Sequence, residues 1–372
     1  MSEPEFIFES SSPTCHIDAV ISAEQDAYYL YFFCSPEYGA HVLNRLWICN
    51  RHETPDEMDI SPLDRSEGPV LGKANVSDMQ PQYGMEFNPD KLSAVWYDTG
   101  DAVAIYYGKK LICAIPPIVG LYDFPGFSIF AKGQTRYAWE MPTDPEFVKQ
   151  IENNRQFWEI MNNENTWKKL EQDYLAVTDR FFGAPHTKSV PCGSKMFPNR
   201  TISQGQKGNM IFNITLGVSQ YAMPTVAKEF GNNCKDQSRI ELAFATIDKY
   251  RQLLDLMTMV MKDLADIPWE ERSFLWHGHT VDFPNIRGFA ALLFVNPVYI
   301  EGMEEPQFPS FAGCRVNTLW IIPITEEELN FLREKGIDEL VKQCKSASIS
   351  HIFAGIPKFL PFSISPNFVK IN

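Results

Sequence analysis

The apolar positions along the chain follow strand and helix patterns in turn, without a steady repeat. In the first part, aromatic-rich or apolar runs bounded by turn residues predict strands at residues 27–34, 91–97, 102–107 and 111–117, and residues 40–49 form a further apolar element. From Pro145 to Phe182 the apolar residues recur mostly every three, four or seven positions. That spacing predicts helices, and the run Asn-Asn-Glu-Asn at 162–165 divides the stretch into two.

The second part combines the same two patterns. Thr325, Glu328 and Gly336 frame a helix with a capping box at its start and a glycine at its end. Residues 181–209 are polar and rich in Gly, Pro and Ser, which predicts a loop region. Apolar runs predict strands at 210–220, 239–247, 289–300 and 315–324, and helical spacing follows Tyr250.

These elements predict an α+β fold, with mixed β-sheets flanked by helices, because strands and helices do not alternate regularly. A chain of 372 residues is longer than one hydrophobic core usually organises, so two domains are expected. The change of pattern near residue 145 places the boundaries. We predict an N-terminal α+β domain at 1–145, a helical connector at 146–172 and a second domain at 173–372.

Charge is distributed unevenly between these parts. The net charge is −14, of which residues 1–145 carry −12 and residues 146–372 carry −2. An acidic surface repels nucleic acid and anionic membranes, so we expect neither as a partner. It attracts basic proteins and speeds their association. The alternative is that the acidity serves only to keep the protein soluble.

The acidity is concentrated after residue 52, in a stretch that we predict to be a solvated loop or a short helix. We predict that its carboxylates contact a basic protein partner, although runs of charge are often no more than a solvated face. The predicted partner-binding residues are Glu53, Asp56, Glu57, Asp59, Asp64 and Glu67.

The eight cysteines are scattered without a CxxC pair, and several have apolar neighbours. That usage is typical of reduced core cysteines. The N-terminus lacks the pattern of a signal peptide, and no apolar run is long enough to cross a bilayer. Together these features predict a cytoplasmic protein.

Two sets of residues are candidates for catalysis. His277, His279 and Asp282 have side chains that bind zinc, so the alternative function is a metal-dependent hydrolase. The competing interpretation is a turn before a strand. Cys192 with His186 suggests a nucleophile and base, but nothing marks an oxyanion hole. Phosphate-binding loops and the common hydrolase and kinase motifs are absent from the sequence. We therefore predict a protein that is not an enzyme and needs no metal or cofactor.

Five stretches of the second part, in order, resemble the suppressor-of-fused domain family and together span roughly residues 170–345. They are YLAVTDRFFGAPH, FNITLGVSQYAMP, RIELAFATI, GHTV with the run to LLFVNP, and VNTLWIIPITEEELNFLREKGIDELV. The resemblance implies an α+β fold with no known catalytic residues and a role in binding another protein.

The arrangement of the chain resembles bacterial members of this family, which are thought to act largely as immunity proteins against polymorphic toxins. We therefore predict an immunity-type inhibitor that neutralises a toxin, such as a basic nuclease, by stoichiometric binding. The eukaryotic namesake restrains transcription factors in hedgehog signalling, so the alternative is a signalling scaffold that binds a transcription factor.

Overall fold

The computed structural model describes residues 5–35, 41–231, 234–344 and 350–360. The chain divides into two compact units, one formed by Met1–Asn162 with Ala227–Asn232 and the other by Asn163–Val226 with Asn233–Asn372. Its strands and helices confirm the predicted α+β class. Among the described residues, no helix combines the length and the apolar character needed to span a membrane.

The first unit is built from two sheets. Strands β1 to β4 form an antiparallel sheet in that order. Strands β5 to β9 form a second sheet that is antiparallel except for its last pair. The strands are β1 (Glu5–Ser11), β2 (Ile17–Ala23), β3 (Ala27–Cys34), β4 (Val42–Asn50), β5 (Leu92–Trp96), β6 (Val103–Tyr107), β7 (Lys110–Ile115), β8 (Phe127–Ser128) and β9 (Trp139–Glu140).

Helix ends follow the caps visible in the sequence. Helix α1 (Pro145–Met161) starts where the Asp144 side chain accepts the Glu146 N–H, at 2.9 Å. Helix α2 (Glu164–Phe182) is capped by the Asn163 side chain, so the predicted break is confirmed. The other helices are α3 (Val226–Phe230), α4 (Arg251–Glu270), α5 (Glu326–Lys335) and α6 (Ile337–Lys342). By contacts, α1 groups with the first unit and α2 with the second. The domain boundaries proposed from sequence stay a prediction.

The second unit contains one large sheet. Its strands are β10 (His186–Pro191), β11 (Thr201–Lys207), β12 (Met210–Leu216), β13 (Arg239–Ile247), β14 (Thr280–Asp282), β15 (Ala291–Val295), β16 (Val316–Ile324) and β17 (Ile352–Phe353). The order is β10-β11-β12-β13-β16-β15-β14, with β17 beside β13. Strands β13 and β16 are parallel central neighbours, and β16 is buried along its whole length. Continuous apolar runs of this kind are typical of strands covered on both faces.

Helices cover both faces of this sheet. Tyr174 and Phe182 of α2 and Leu329 of α5 join a core cluster with alternate residues of the central strands. On the other face, the Asn213 side chain of β12 donates to the Leu254 carbonyl of α4, at 3.0 Å. The sheet is therefore the middle layer of the second unit.

Residues 181–209 were predicted to be a loop region, and the structure corrects this. Strands β10 and β11 lie within the range and pair antiparallel, from Lys188 with Gln204 to Pro191 with Thr201. Strand β10 is an edge strand whose side chains are largely exposed. An edge strand of this kind has no buried face to impose an apolar pattern, so its Gly-, Pro- and Ser-rich surroundings dominated the prediction.

Candidate functional site

The acidic segment, residues 53–67, is a well-anchored loop between β4 and β5. Asp59 and Val70 pair through their backbones, with N–H to carbonyl distances of 3.0 and 2.9 Å. Beyond that pair, the Gly68 N–H donates to the buried Glu24 carboxylate, and the Tyr29 hydroxyl donates to the Pro69 carbonyl, both at 2.5 Å. The loop is thus fixed at its base while its charged residues face water.

Two of the six predicted binding carboxylates have ion-pair partners. Asp56 pairs with Lys73 at 2.6 Å, and Glu67 pairs with Arg65 at 2.9 Å. The hydrogen bond from Lys73 lowers the pKa of Asp56, so this carboxylate keeps its charge in mildly acidic solution. Glu53, Glu57, Asp59 and Asp64 are also exposed, whereas the Glu67 side chain is mostly buried. The segment therefore presents a surface with excess negative charge.

Apolar side chains on the acidic segment were not singled out from sequence. Met58, Ile60 and Leu63 are 36%, 61% and 45% exposed, although each neighbours a carboxylate in the chain. The sequence pattern that could have identified them is the alternation of apolar and acidic residues within the segment. Exposed apolar groups beside complementary charge are typical of protein-binding surfaces, because burying them contributes affinity that charge alone does not.

The three candidate zinc ligands do not form a metal site. His277 Nδ1 accepts the backbone N–H of Asn296 at 3.2 Å, and its ring stacks on Tyr299. His279 is exposed, and Asp282 lies 3.9 Å from Arg333. Across residues 5–35, 41–231, 234–344 and 350–360, no group of three or more His, Cys, Asp or Glu side chains is arranged to bind a metal. The geometry gives the hydrolase alternative no support.

His277 and His279 precede β14, and Asp282 ends it; β14 is the edge strand of the large sheet. Strand β14 pairs with β15 on one side only. Phe294 N–H bonds the His279 carbonyl, and Phe283 N–H bonds the Ala290 carbonyl, at 2.9 and 2.8 Å. By the two-residue period of a strand, the backbone groups of Thr280 point away from β15. A groove of about 620 Å³ lies beside this edge. Such an edge can pair with a strand from another chain.

Cys192 and His186 do not form a nucleophile and base. Burial raises the pKa of the Cys192 thiol to about 12, which disfavours the reactive thiolate. The His186 ring faces Asp179 of α2 at 3.2 Å. Neither residue has the environment of an activated catalytic pair.

A buried ionic cluster links two motifs of the family resemblance. Glu241 of β13 is fully buried and accepts hydrogen bonds from the Gly217 and Ser219 N–H groups at 2.9 and 3.1 Å. Arg239, also buried, donates to the carbonyls of Ser219 and Gln220 at 3.0 and 2.7 Å. The Arg-x-Glu motif at 239–241 and the Gly-x-Ser motif at 217–219 are thus held together by these hydrogen bonds. With no exposed surface, this cluster stabilises the fold and is not a binding site.

Two histidines of the second unit should make its stability sensitive to acid. Burial lowers the pKa of His277 and of His351 from about 6.5 to about 4. Their contribution to stability is therefore complete above pH 6.5 and is lost as the pH falls toward 4. At 1.36 kcal/mol per pKa unit, each costs about 3 kcal/mol at the acid end. Urea unfolding between pH 7 and 4 should show this loss.

Substitution of either histidine tests this acid effect. His277→Gln should flatten the pH dependence, because glutamine can still accept the Asn296 N–H and does not protonate. His351→Gln should flatten it by a similar amount, because burial lowers the pKa of both histidines to about 4. An identical pH profile for His277→Gln and the parent protein would show that His277 is not the group responsible.

Comparison with known families finds a match that lies mostly within the second unit. The Suppressor of fused protein (SUFU) family matches residues 200–354, from the residue before β11 to the residue after β17. This match confirms the family resemblance and includes the buried cluster and the β14 edge. A search of curated proteins finds no match to this chain. The acidic segment lies outside the matched residues.

Proposed function

Since residues 200–354 match the SUFU family, whose members generally bind and regulate other proteins, we propose that this chain is a protein-binding module. It acts as an immunity-type inhibitor that neutralises a basic toxin, such as a nuclease, by stoichiometric binding. The acidic segment is the contact surface. The observation that carries this assignment is a fixed loop that combines exposed carboxylates with exposed Met58, Ile60 and Leu63.

On this surface, charge and apolar packing affect different rates: charge the association rate, and apolar packing the dissociation rate. The carboxylates attract a basic partner over the range of the Debye length and speed the encounter. Burial of the three apolar side chains in the complex then slows dissociation, because they become exposed to water again when the partner leaves. Since the base of the loop is already fixed, little conformational entropy is lost on binding.

We further propose a cytoplasmic place of action in a bacterial cell. Six of the eight cysteines are buried. Buried cysteine thiols suit a reducing compartment, which supports the cytoplasmic part of this proposal. There the inhibitor meets its toxin before the toxin reaches its target.

Charge reversal should test the acidic segment. We expect Glu53→Lys, Asp56→Lys and Glu57→Lys together to slow association with the partner by about 10- to 100-fold at low salt, because electrostatic steering is lost. The rate should also depend less on salt. The partner is first isolated from the native host on the tagged protein and eluted with a salt gradient. Stopped-flow or surface plasmon resonance then gives the rates, and titration of toxin activity gives the stoichiometry.

A matched triple variant controls for net charge. Asp78, Asp90 and Glu159 are exposed acids of the first unit outside the segment, and their reversal to lysine changes the net charge equally. We expect that control to slow association by less than about threefold, because its charges lie outside the proposed contact surface. Unchanged kinetics in the segment variant, with its fold intact by circular dichroism, would refute the assignment of this surface.

A further inference from the structure

A cavity of about 350 Å³ opens on the surface of the second unit, and none of its lining residues belongs to β14. It lies between the end of α2 and the connection from β15 to β16. A short 3-10 turn, Pro297–Tyr299, begins that connection. The lining residues are Phe181, Pro297, Val298, Met303, Glu304, Glu305 and Gln307.

Part of the cavity lining is apolar and packs against the core. Pro297 and Met303 are buried, and the Phe181 ring lies 6.2 Å from the ring of Trp320 in the core. The indole N–H of Trp320 donates to the Glu304 carbonyl at 3.0 Å, which ties the loop to β16. Val298, at 54% exposure, remains accessible to solvent. An aliphatic chain entering here would meet preformed walls.

Two carboxylate residues make the lining acidic. Glu305 is nearly buried, with 9% of its side chain exposed, and it pairs with Arg315. That pairing offsets its charge. Glu304 is exposed and has no ion pair within the part of the chain that the structure describes. The Glu304 carboxylate is therefore the group left to attract a cation.

We propose that this cavity takes a lysine or arginine side chain presented by the protein partner. The aliphatic stem packs against Phe181, Pro297 and Met303, and the charged head lies beside Glu304. Long basic side chains suit such a site because their stems are apolar and their heads remain near water. The proposal rests on the proposed function for its basic partner, and adds to it a specific anchor in the second unit.

The cavity can be tested on the full chain without the partner. The probes are Nα-acetyl-lysine methylamide and Nα-acetyl-arginine methylamide, with the neutral norleucine analogue as the matched control. The assigned indole N–H resonance of Trp320 reports on the cavity because that group bonds Glu304. We expect a saturable shift with the two basic probes and a weaker response to norleucine.

Three variants separate the cavity from general charge effects. Glu304→Gln should weaken binding of the basic probes by about two- to fivefold, the upper part of the range expected for an exposed ion pair. Val298→Trp should block the cavity. Glu301→Gln, in the same loop but not in the lining, should bind as the parent does. No saturable shift, or equal shifts for norleucine and lysine, would overturn the proposal.

This titration and the charge-reversal experiment can fail independently. The probes need no toxin, so a negative titration leaves the role of the acidic segment intact. A partner that binds unchanged to the segment variant leaves the cavity result intact. If the cavity is the anchor, Val298→Trp should also speed dissociation of the isolated partner, and an unchanged dissociation rate would refute that role.

Discussion

Replacing Glu241 with alanine is expected to lower the free energy of unfolding of the second unit by about 4 kcal/mol. The carboxylate accepts hydrogen bonds from the hydroxyls of Thr215 and Ser219 at 2.7 and 2.6 Å, and from three backbone N–H groups of the adjacent turn. All of these donors are buried. Each unpaired buried donor costs about 1–3 kcal/mol, because alanine supplies no acceptor in its place.

Glu241→Gln is the matched control, because glutamine keeps the shape and one acceptor. We expect a loss of about 2 kcal/mol, since the amide N–H₂ group would face other donors. Burial raises the pKa of Glu241 against the opposing hydrogen bonds. The parent protein therefore loses some stability as the pH rises from about 4.5 through that raised pKa, and glutamine removes this dependence.

Urea unfolding with amide hydrogen exchange on β12 and β13 separates the two units. The first-unit amides should be unaffected by either substitution, because the cluster lies in the second unit. Equal protection of β12 in the parent and Glu241→Ala proteins would contradict the role of this carboxylate.

The second large effect is expected at Arg200, whose side chain is fully buried. Its guanidinium pairs with Asp266, donates to the Ala265 carbonyl at 3.0 Å and lies 3.7 Å from the Phe197 ring centre. Burial lowers the pKa of Arg200 to about 10, against the attraction of Asp266, so the residue remains charged at neutral pH. Arg200→Met should destabilise the second unit by about 4 kcal/mol, because Asp266 loses its partner in a largely buried position.

The double variant Arg200→Met with Asp266→Asn measures the charge contribution. It should recover more than half of the lost stability, because removing both charges also removes the cost of leaving one unpaired. Denaturant midpoints of the parent, the two single variants and the double variant complete the cycle. A double variant as unstable as Arg200→Met would show that the loss of packing on Phe197 and Trp269, and not the unpaired charge, dominates.

Features set by neighbours in the chain could be predicted well. The capping box of α5 is present, with the Thr325 hydroxyl accepting the Glu328 N–H at 3.2 Å and the Glu328 carboxylate accepting the Thr325 N–H at 2.9 Å. The run at 239–247 predicted a strand, and β13 confirms it with the same bounds. Both depend on hydrogen bonding or periodicity within about ten residues, so the local sequence contains the necessary information.

The candidate sites were less predictable because they depend on distant contacts. The acidic segment could be found from its composition, but its anchoring by Glu24 and Tyr29 requires the tertiary structure. The cavity at Phe181 was not found, since one wall comes from α2 and the others follow β15 more than a hundred residues later. No local sequence pattern predicts that two segments so distant in the chain lie next to each other.

By itself, the sequence determined the α+β class, several helix caps, several strands of the large sheet and the concentration of acid in the first part. The tertiary structure alone decided that β10 and β11 pair, that His277, His279 and Asp282 mark a sheet edge, and that Glu241 holds the Gly217–Ser219 turn. The physical reason is the range of the interactions. Caps and periodicity act between near neighbours, whereas strand pairing and burial depend on which distant segments exclude water together.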